Sequence, residues 1–375
     1  MIGCTRRWAH ILACTQLTAL FTLAACDVEP PTQDCPLPGE RPVYVTLYSH
    51  NEDTWEPWVG TRADYVAYRE NLVERLHLIR DFGAKLNWQS DLVVLQAMAE
   101  QEDDSLAALT GGMNILAYIQ HLGFSVDPHG HLFDCNYADL AHYIRQLDVE
   151  PSGVIGGLPL QDCGSSHLGF LDLRDWRAEI ELDAAGVIHG RNIPQAIWRP
   201  TILSVPGMPG HWFDELSTGL WRPSAGTDFY THDPQGEIVY VGQGYPHDIV
   251  NLGPTQASGA VVYAERGAYI KELVAKARND TLPVGVMLTA SIHVRDCETV
   301  RDNAALVDVN QGLTEILSIL APLAADGDIV YATYQEAVAI WEEIYAGAPG
   351  RVDFSHFSLY ADVRDQAAAH CGAKN

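Results

Sequence analysis

The sequence predicts an α/β chain: a mostly parallel sheet in one barrel-like (β/α) domain over residues 41–347, with a long insertion at about 161–250. Three observations predict it. Short apolar runs of strand type alternate with helical apolar stripes from Val43 to Ile155. The same alternation returns from Tyr263 to Tyr345. The length between these limits suits one barrel-like domain rather than two.

In chain order, the first segment reads as an export signal. Arg6 and Arg7 form a short basic region, and an apolar run follows from Ile11 to Leu23. That run is too short and wrongly flanked to span a membrane. It ends in Leu23-Ala24-Ala25-Cys26, which is similar to a bacterial lipobox. Cleavage before Cys26 and lipidation of its thiol are therefore expected, giving an exported, membrane-anchored lipoprotein of the cell envelope. The rival Cys14 has almost no apolar run before it. Residues 27–40, rich in Pro and acid, read as a tether after the lipidated Cys26.

Val43, Val45 and Leu47 alternate with Tyr44, Thr46 and Tyr48 as a strand ending at Ser49-His50-Asn51-Glu52-Asp53. Tyr65, Tyr68, Leu72, Leu76 and Ile79 then form the stripe of a helix over about 61–82, stopped by Gly83. A short strand is expected at 85–89, with helices at about 92–99 and 113–121. Phe124–Val126 is a third strand, leading into Asp127-Pro128-His129-Gly130-His131. Asn136 with Asp139 reads as a helix start, and Val154-Ile155 as a fourth strand. Residues 161–250 break the pattern and are rich in Trp, Pro, Gly and Asp, with a hairpin expected at 178–189 around Asp183. Helix, buried strand (284–292, ending at His293), helix (313–324), strand (329–332) and helix (334–345) complete the domain. The 351–375 tail has no assignable pattern.

Removing residues 1–25 takes away two Arg and no acid, leaving 350 residues with 21 basic and 49 acidic side chains. A formal charge near −28 argues against binding nucleic acid or an anionic membrane through a basic face. The lipid is then the expected link to a membrane. Five cysteines remain besides Cys26, namely Cys35, Cys135, Cys163, Cys297 and Cys371. Export permits disulfides, and an odd count leaves one thiol over. Cys135 with Cys163 is the expected pair, since both follow strands near the candidate site.

The chemistry centres on Asp127-Pro128-His129-Gly130-His131. In an extended segment Asp127, His129 and His131 share one face. Partners are expected from the first strand: His50, Glu52 and Asp53. Imidazoles with a carboxylate leave a position open for water on zinc or a similar divalent ion. Asp127 is either a ligand or a group orienting a histidine. His293, ending an apolar strand, could protonate a leaving group. Arg222, in Trp221-Arg222-Pro223, could hold an active-site carboxylate through its forked donors. Trp55, Trp58, Trp88, Trp198, Trp212 and Trp221 could stack on sugar rings. There is no G-x-S-x-G elbow, no P-loop, and no dinucleotide fingerprint after a strand.

Taken in order, these segments resemble the polysaccharide deacetylase (NodB-like) superfamily, built on an irregular (β/α) barrel. Val43–Asp53 stands where that family has a first strand ending in acids. His129 and His131 match its metal-binding histidines, Trp221-Arg222-Pro223 its aromatic-Arg-Pro segment, and Val286–His293 the strand ending in a catalytic histidine. Leu313–Ala324, Gly327, Ile329–Ala332 and Thr333 match its closing helix, Gly, strand and Thr. The resemblance implies a metal-dependent hydrolase that removes N- or O-acetyl groups from a glycan. In it, Asp53 or Glu52 is the base, His293 the acid, and Arg222 positions the base. A non-catalytic glycan-binding lipoprotein, or a glycoside hydrolase on a related barrel, is the alternative. Two departures are plain. The usual adjacent acidic pair is replaced by His50-Asn51-Glu52-Asp53, and the usual histidine spacing of four is shortened to two, so a different ligand geometry is expected.

Overall fold

The computed structural model describes residues 41–52, 59–130, 135–156, 176–204, 217–224, 231–242, 259–279, 282–283, 285–294 and 309–353. The expected signal, cleavage site and tether lie outside these residues, as do Cys26, Cys35, Cys163, Cys297 and Cys371.

The chain opens with β1 (Val43–Asn51), which ends within the polar stretch where the sequence predicts its end. It is held there by the next strand: the Asn51 amide donates to Gln89 O at 2.9 Å, and Asp91 N donates to Asn51 O. Helix α1 (Arg62–Asp81) starts on a Thr61 cap and buries all five residues of the expected stripe. It stops at Gly83, whose φ of +69° suits a residue without Cβ. β2 (Leu86–Ser90) leads through the Asp91 cap into α2 (Leu92–Gln101). A short helix α3 (Asp104–Ala107) and a 3-10 turn precede α4 (Ile115–His121). At four residues, α3 is too brief to show a stripe. β3 (Ser125–Pro128) carries Asp127 inside the strand. α5 (Tyr137–Gln146) starts on the Asn136–Asp139 capping box, and β4 (Val154–Gly156) follows.

Between 161 and 250, where the sequence predicts an insertion, the described residues carry one short helix and several short strands. After α6 (Trp176–Glu179) come β5 (Ile188–His189), β6 (Ile197–Trp198), β7 (Ile202–Ser204), β8 (Ser217–Thr218), β9 (Leu220–Trp221) and β10 (Val239–Val241). The expected hairpin at 178–189 shrinks to one bridge, Leu182 to Ile188, because helix α6 takes its first arm. β5 pairs β6 instead. The last part follows the expected order: α7 (Gly259–Arg278), β11 (Leu288–His293), α8 (Val309–Ala325), β12 (Ile329–Tyr331) and α9 (Tyr334–Ile344). A Thr333–Glu336 capping box starts α9. β13 (Val352–Asp353) pairs β8, giving the start of the tail a place.

Five strands form a parallel sheet in the order β11-β1-β2-β3, with β12 also on β1. β1 is long enough to serve two neighbours along one edge. β12 pairs Val43–Val45, and β2 pairs Leu47–Asn51. The odd-numbered residues bond to both of these, while Tyr48 O accepts from Val294 N at the end of β11. A second sheet, β4-β7-β10-β9, is parallel except for β9. Several contacts join the sheets, Ser152 N donating to Val126 O among them. His129, just past β3, bridges Gly156 of β4. On the far side, Thr289 of β11 bonds to Thr218, Gly219 N and Gly242 O.

Both faces of the first sheet are covered, as parallel sheets require. Val43, Val45 and Leu47 pack with the α1 stripe, Leu313 and Ile316 in one core. Tyr44 and Tyr48 face the other way, into a core with Val154, Ile202, Leu220, Val239, Val241, Tyr334 and Trp341. The second sheet and α9 thus line the face toward which His50 points. Among the described residues, no helix is long and apolar enough to cross a membrane.

Candidate metal centre

β1 alternates its side chains, so Tyr48, His50 and Glu52 share the inner face. Tyr48 pairs with His293 of β11, which brings that histidine to the same level. His129 reaches the same spot from the end of β3, where its N–H donates to Ser90 O at 2.9 Å. All of these lie at the C-terminal ends of parallel strands.

His50, Glu52 and His129 each offer one ligand atom within 4.8 Å of the others. Glu52 Oε1 lies 2.6 Å from His129 Nε2 and 3.5 Å from His50 Nδ1. The two imidazole centres are 4.1 Å apart. Donors around a tetrahedral zinc at about 2.0–2.1 Å sit roughly 3.3 Å from one another. Two imidazoles and a carboxylate are also a donor set that zinc takes, and the fourth position stays open for water. Donor chemistry and spacing therefore fit a divalent ion, with His50, Glu52 and His129 as its holders.

His293 stands beside this group. Its ring centre is 4.7 Å from that of His50, and it stacks on Tyr48 at 4.9 Å with 5° between planes. Tyr48 fixes the plane of that ring, a role its place in an alternating apolar strand does not announce. Below the cluster, the Tyr137 hydroxyl lies 3.0 Å from both Gly130 O and Gly156 O and shares its one proton between them, tying the ends of β3 and β4 together. Burial, with Cys135 and Glu52 nearby, drives its pKa well above the usual phenol range, so it remains a donor.

Other expected site residues fall elsewhere. Asp127 shares the inner face but is neither at the cluster nor against a histidine. Its carboxylate takes the Ser125 and Ser152 hydroxyls on Oδ1 and the Gln89 amide on Oδ2 at 3.2 Å. Complete burial pushes its pKa up to about 6, against the pull of those three donors. Arg222 does not reach the cluster through any described contact. Its guanidinium donates to Glu342 on α9 at 2.7 Å and lies 4.8 Å over the Trp341 ring. That carboxylate follows Trp341 in the later turns of α9, so the described contact of Arg222 belongs to the fold around α9. Trp88, Trp198 and Trp221 are 0%, 3% and 2% exposed, so their faces are packed in the protein rather than open to a sugar. Asp53, His131, Trp55, Trp58 and Trp212 lie outside the described residues, as does Cys163 of the expected pair with the buried Cys135.

Fold and site together define a mixed α/β protein with a two-histidine, one-carboxylate centre at the ends of parallel strands. No family model matches the chain, and no curated protein matches it. Among solved structures it is similar to the 4-alpha-glucanotransferase from Thermococcus litoralis, at 12% identity and a TM-score of 0.43. The match covers 80% of this chain and 40% of that one, so this chain spans less than half of that protein's length. A similarity of this degree assigns neither family nor activity.

Proposed function

We propose that the chain is an exported, lipid-anchored, metal-dependent hydrolase acting on glycans, and that it removes N- or O-acetyl groups. One observation carries this reading: His50, Glu52 and His129 converge from two strands, with His293 beside them on a third. An ion held there would supply a water of lowered pKa and an electrophile for the acyl oxygen. The protein's own groups divide the remaining work. Glu52 is engaged by both histidines and acts as a ligand, so the general base falls to Asp53, the next residue. His293, stacked on Tyr48, gives a proton to the departing amine or hydroxyl. The same reading takes the two sheets as the walls of an irregular barrel, supported by the His129–Gly156 bridge and the Thr289 hydrogen bonds.

The test begins with protein purified without chelator and measured by elemental analysis. One divalent ion per chain is expected. Incubation with N-acetylglucosamine oligomers should release acetate, chelation should stop it, and added zinc should restore it. Acetate release that chelator leaves unchanged would refute the reading. Oligomer binding with no turnover at any metal loading would favour a glycan-binding lipoprotein instead.

A further inference from the structure

Gln89 occupies the middle of the first sheet. Its register partner is His50 on one side and Asp127 on the other. Residues at one level of adjacent parallel strands point to the same face. The amide therefore lies on the inner face, one step below His129, which follows Asp127 by two residues. Gln89 is fully buried. Its Nε2 donates to Asp127 Oδ2 at 3.2 Å. Its Oε1 is buried and has no hydrogen-bond partner among the described residues. A buried carbonyl in that state costs about 1–3 kcal/mol.

The direction of this carbonyl is informative. Oε1 lies 2.3 Å from where a Cβ would stand on Gly156. Gly156 is the residue bridged to His129. A side chain at 156 would take the space the carbonyl fills, so the glycine makes room for the amide beneath His129. His129 turns Nε2 toward Glu52 at 2.6 Å. Its other ring nitrogen, Nδ1, is the one nearer its own backbone. A ligand histidine generally donates its outer N–H to a carbonyl or carboxylate, which sets the tautomer and the ring plane.

We propose that Gln89 is a positioning residue for the metal centre, its carbonyl accepting the Nδ1–H of His129 while Nε2 faces the ion. Asp127, held by Ser125 and Ser152, grips the other end of the amide. Gly156 is then part of the site without touching the ion. This inference rests on the metal reading above.

The experiment measures zinc affinity of the full chain by chelator competition. The proteins are the wild type, Gln89→Leu, Gly156→Ala and the double variant, each with its thermal midpoint. Either single change should weaken zinc binding by about 10–100-fold. The double variant should be no weaker than the worse single one, because both remove the same acceptor. In the zinc-loaded wild type, the His129 Nδ1–H should give a slowly exchanging imidazole NMR signal, and Gln89→Leu should lose it. If Gln89→Leu does not fold, Gly156→Ala carries the comparison alone. Unchanged affinity in a folded variant, or effects that simply add, would overturn the role of Gln89 and leave the metal reading standing. A wild type that takes up no zinc would remove both.

Discussion

Asp127 gives the sharpest quantitative prediction. Its carboxyl is completely buried and titrates at about 6 in the folded protein, against an ordinary value of 3.8. Between these two values the folded state holds the proton more tightly than the unfolded chain does. Stability therefore falls as pH rises through this window. The contribution is fully present below about pH 3.8 and lost above about pH 6. A difference of about 2 units corresponds to about 3 kcal/mol. Replacing Asp127→Asn removes the titration while leaving an acceptor for Ser125 and Ser152. Gln89 can turn its amide to accept from the new NH2 group. Urea unfolding of metal-free wild type and variant, measured at intervals from pH 4 to 7, should give curves that diverge. The wild type should lose about 3 kcal/mol relative to the variant across the window, most of it between pH 4 and 7. Parallel curves would refute the argument, since they would mean that burial does not raise this carboxyl.

Four further outcomes are expected. Glu52→Gln and His129→Ala should each abolish bound metal on elemental analysis, whereas Arg222→Ala, whose guanidinium is held by Glu342, should keep it. Metal loss in the Arg222 variant would put that residue back at the site. Arg69→Met leaves Glu102 buried with only Tyr65 to satisfy it, and should cost about 3–5 kcal/mol in denaturant titrations. Thr333→Ala breaks the capping box of α9 and should cost about 1 kcal/mol, read as a lowered unfolding midpoint with unchanged metal content. Trp341→Ala, in the core shared by both sheets, should cost about 3–5 kcal/mol by the same measurement.

Legibility in the sequence followed element length. The α1 stripe and both capping boxes could be read because each is a local pattern, repeated over turns or fixed by a three-residue spacing. β7 to β10 could not, since two or three residues carry no period. Their strand character comes from partners far away in the chain, as Ile202 pairs with both Val154 and Val239. The site divides in the same way. His50, Glu52, His129 and His293 were readable as chemistry-bearing residues at strand ends. Asp127 was readable as important but not in its role, because its serine partners come from its own strand and from the segment before β4. Arg222 was readable as a partner for a carboxylate, but an Arg beside Trp and Pro carries no sign of which carboxylate it will meet. Gln89 was hidden because its meaning depends on register with two neighbouring strands at once. A polar residue at an inward position of a buried strand was the available hint.

The single bridge between His129 and Gly156 has a consequence for assembly. Of the candidate ligands, His50 stands on β1 and Glu52 just past its end, while His129 sits past β3, where the first sheet meets β4. All of α1 to α4, with β2 and β3, lies between Glu52 and His129 along the chain, so under the metal reading an ion held by both would close a long loop. It would act as a clasp on the first sheet, felt only once β1 and β3 have both found β2. Folding and metal uptake would then be linked, and stability would follow the logarithm of free ion concentration. The arrival of the ion would mark the moment at which the ends of β1 and β3 are locked together.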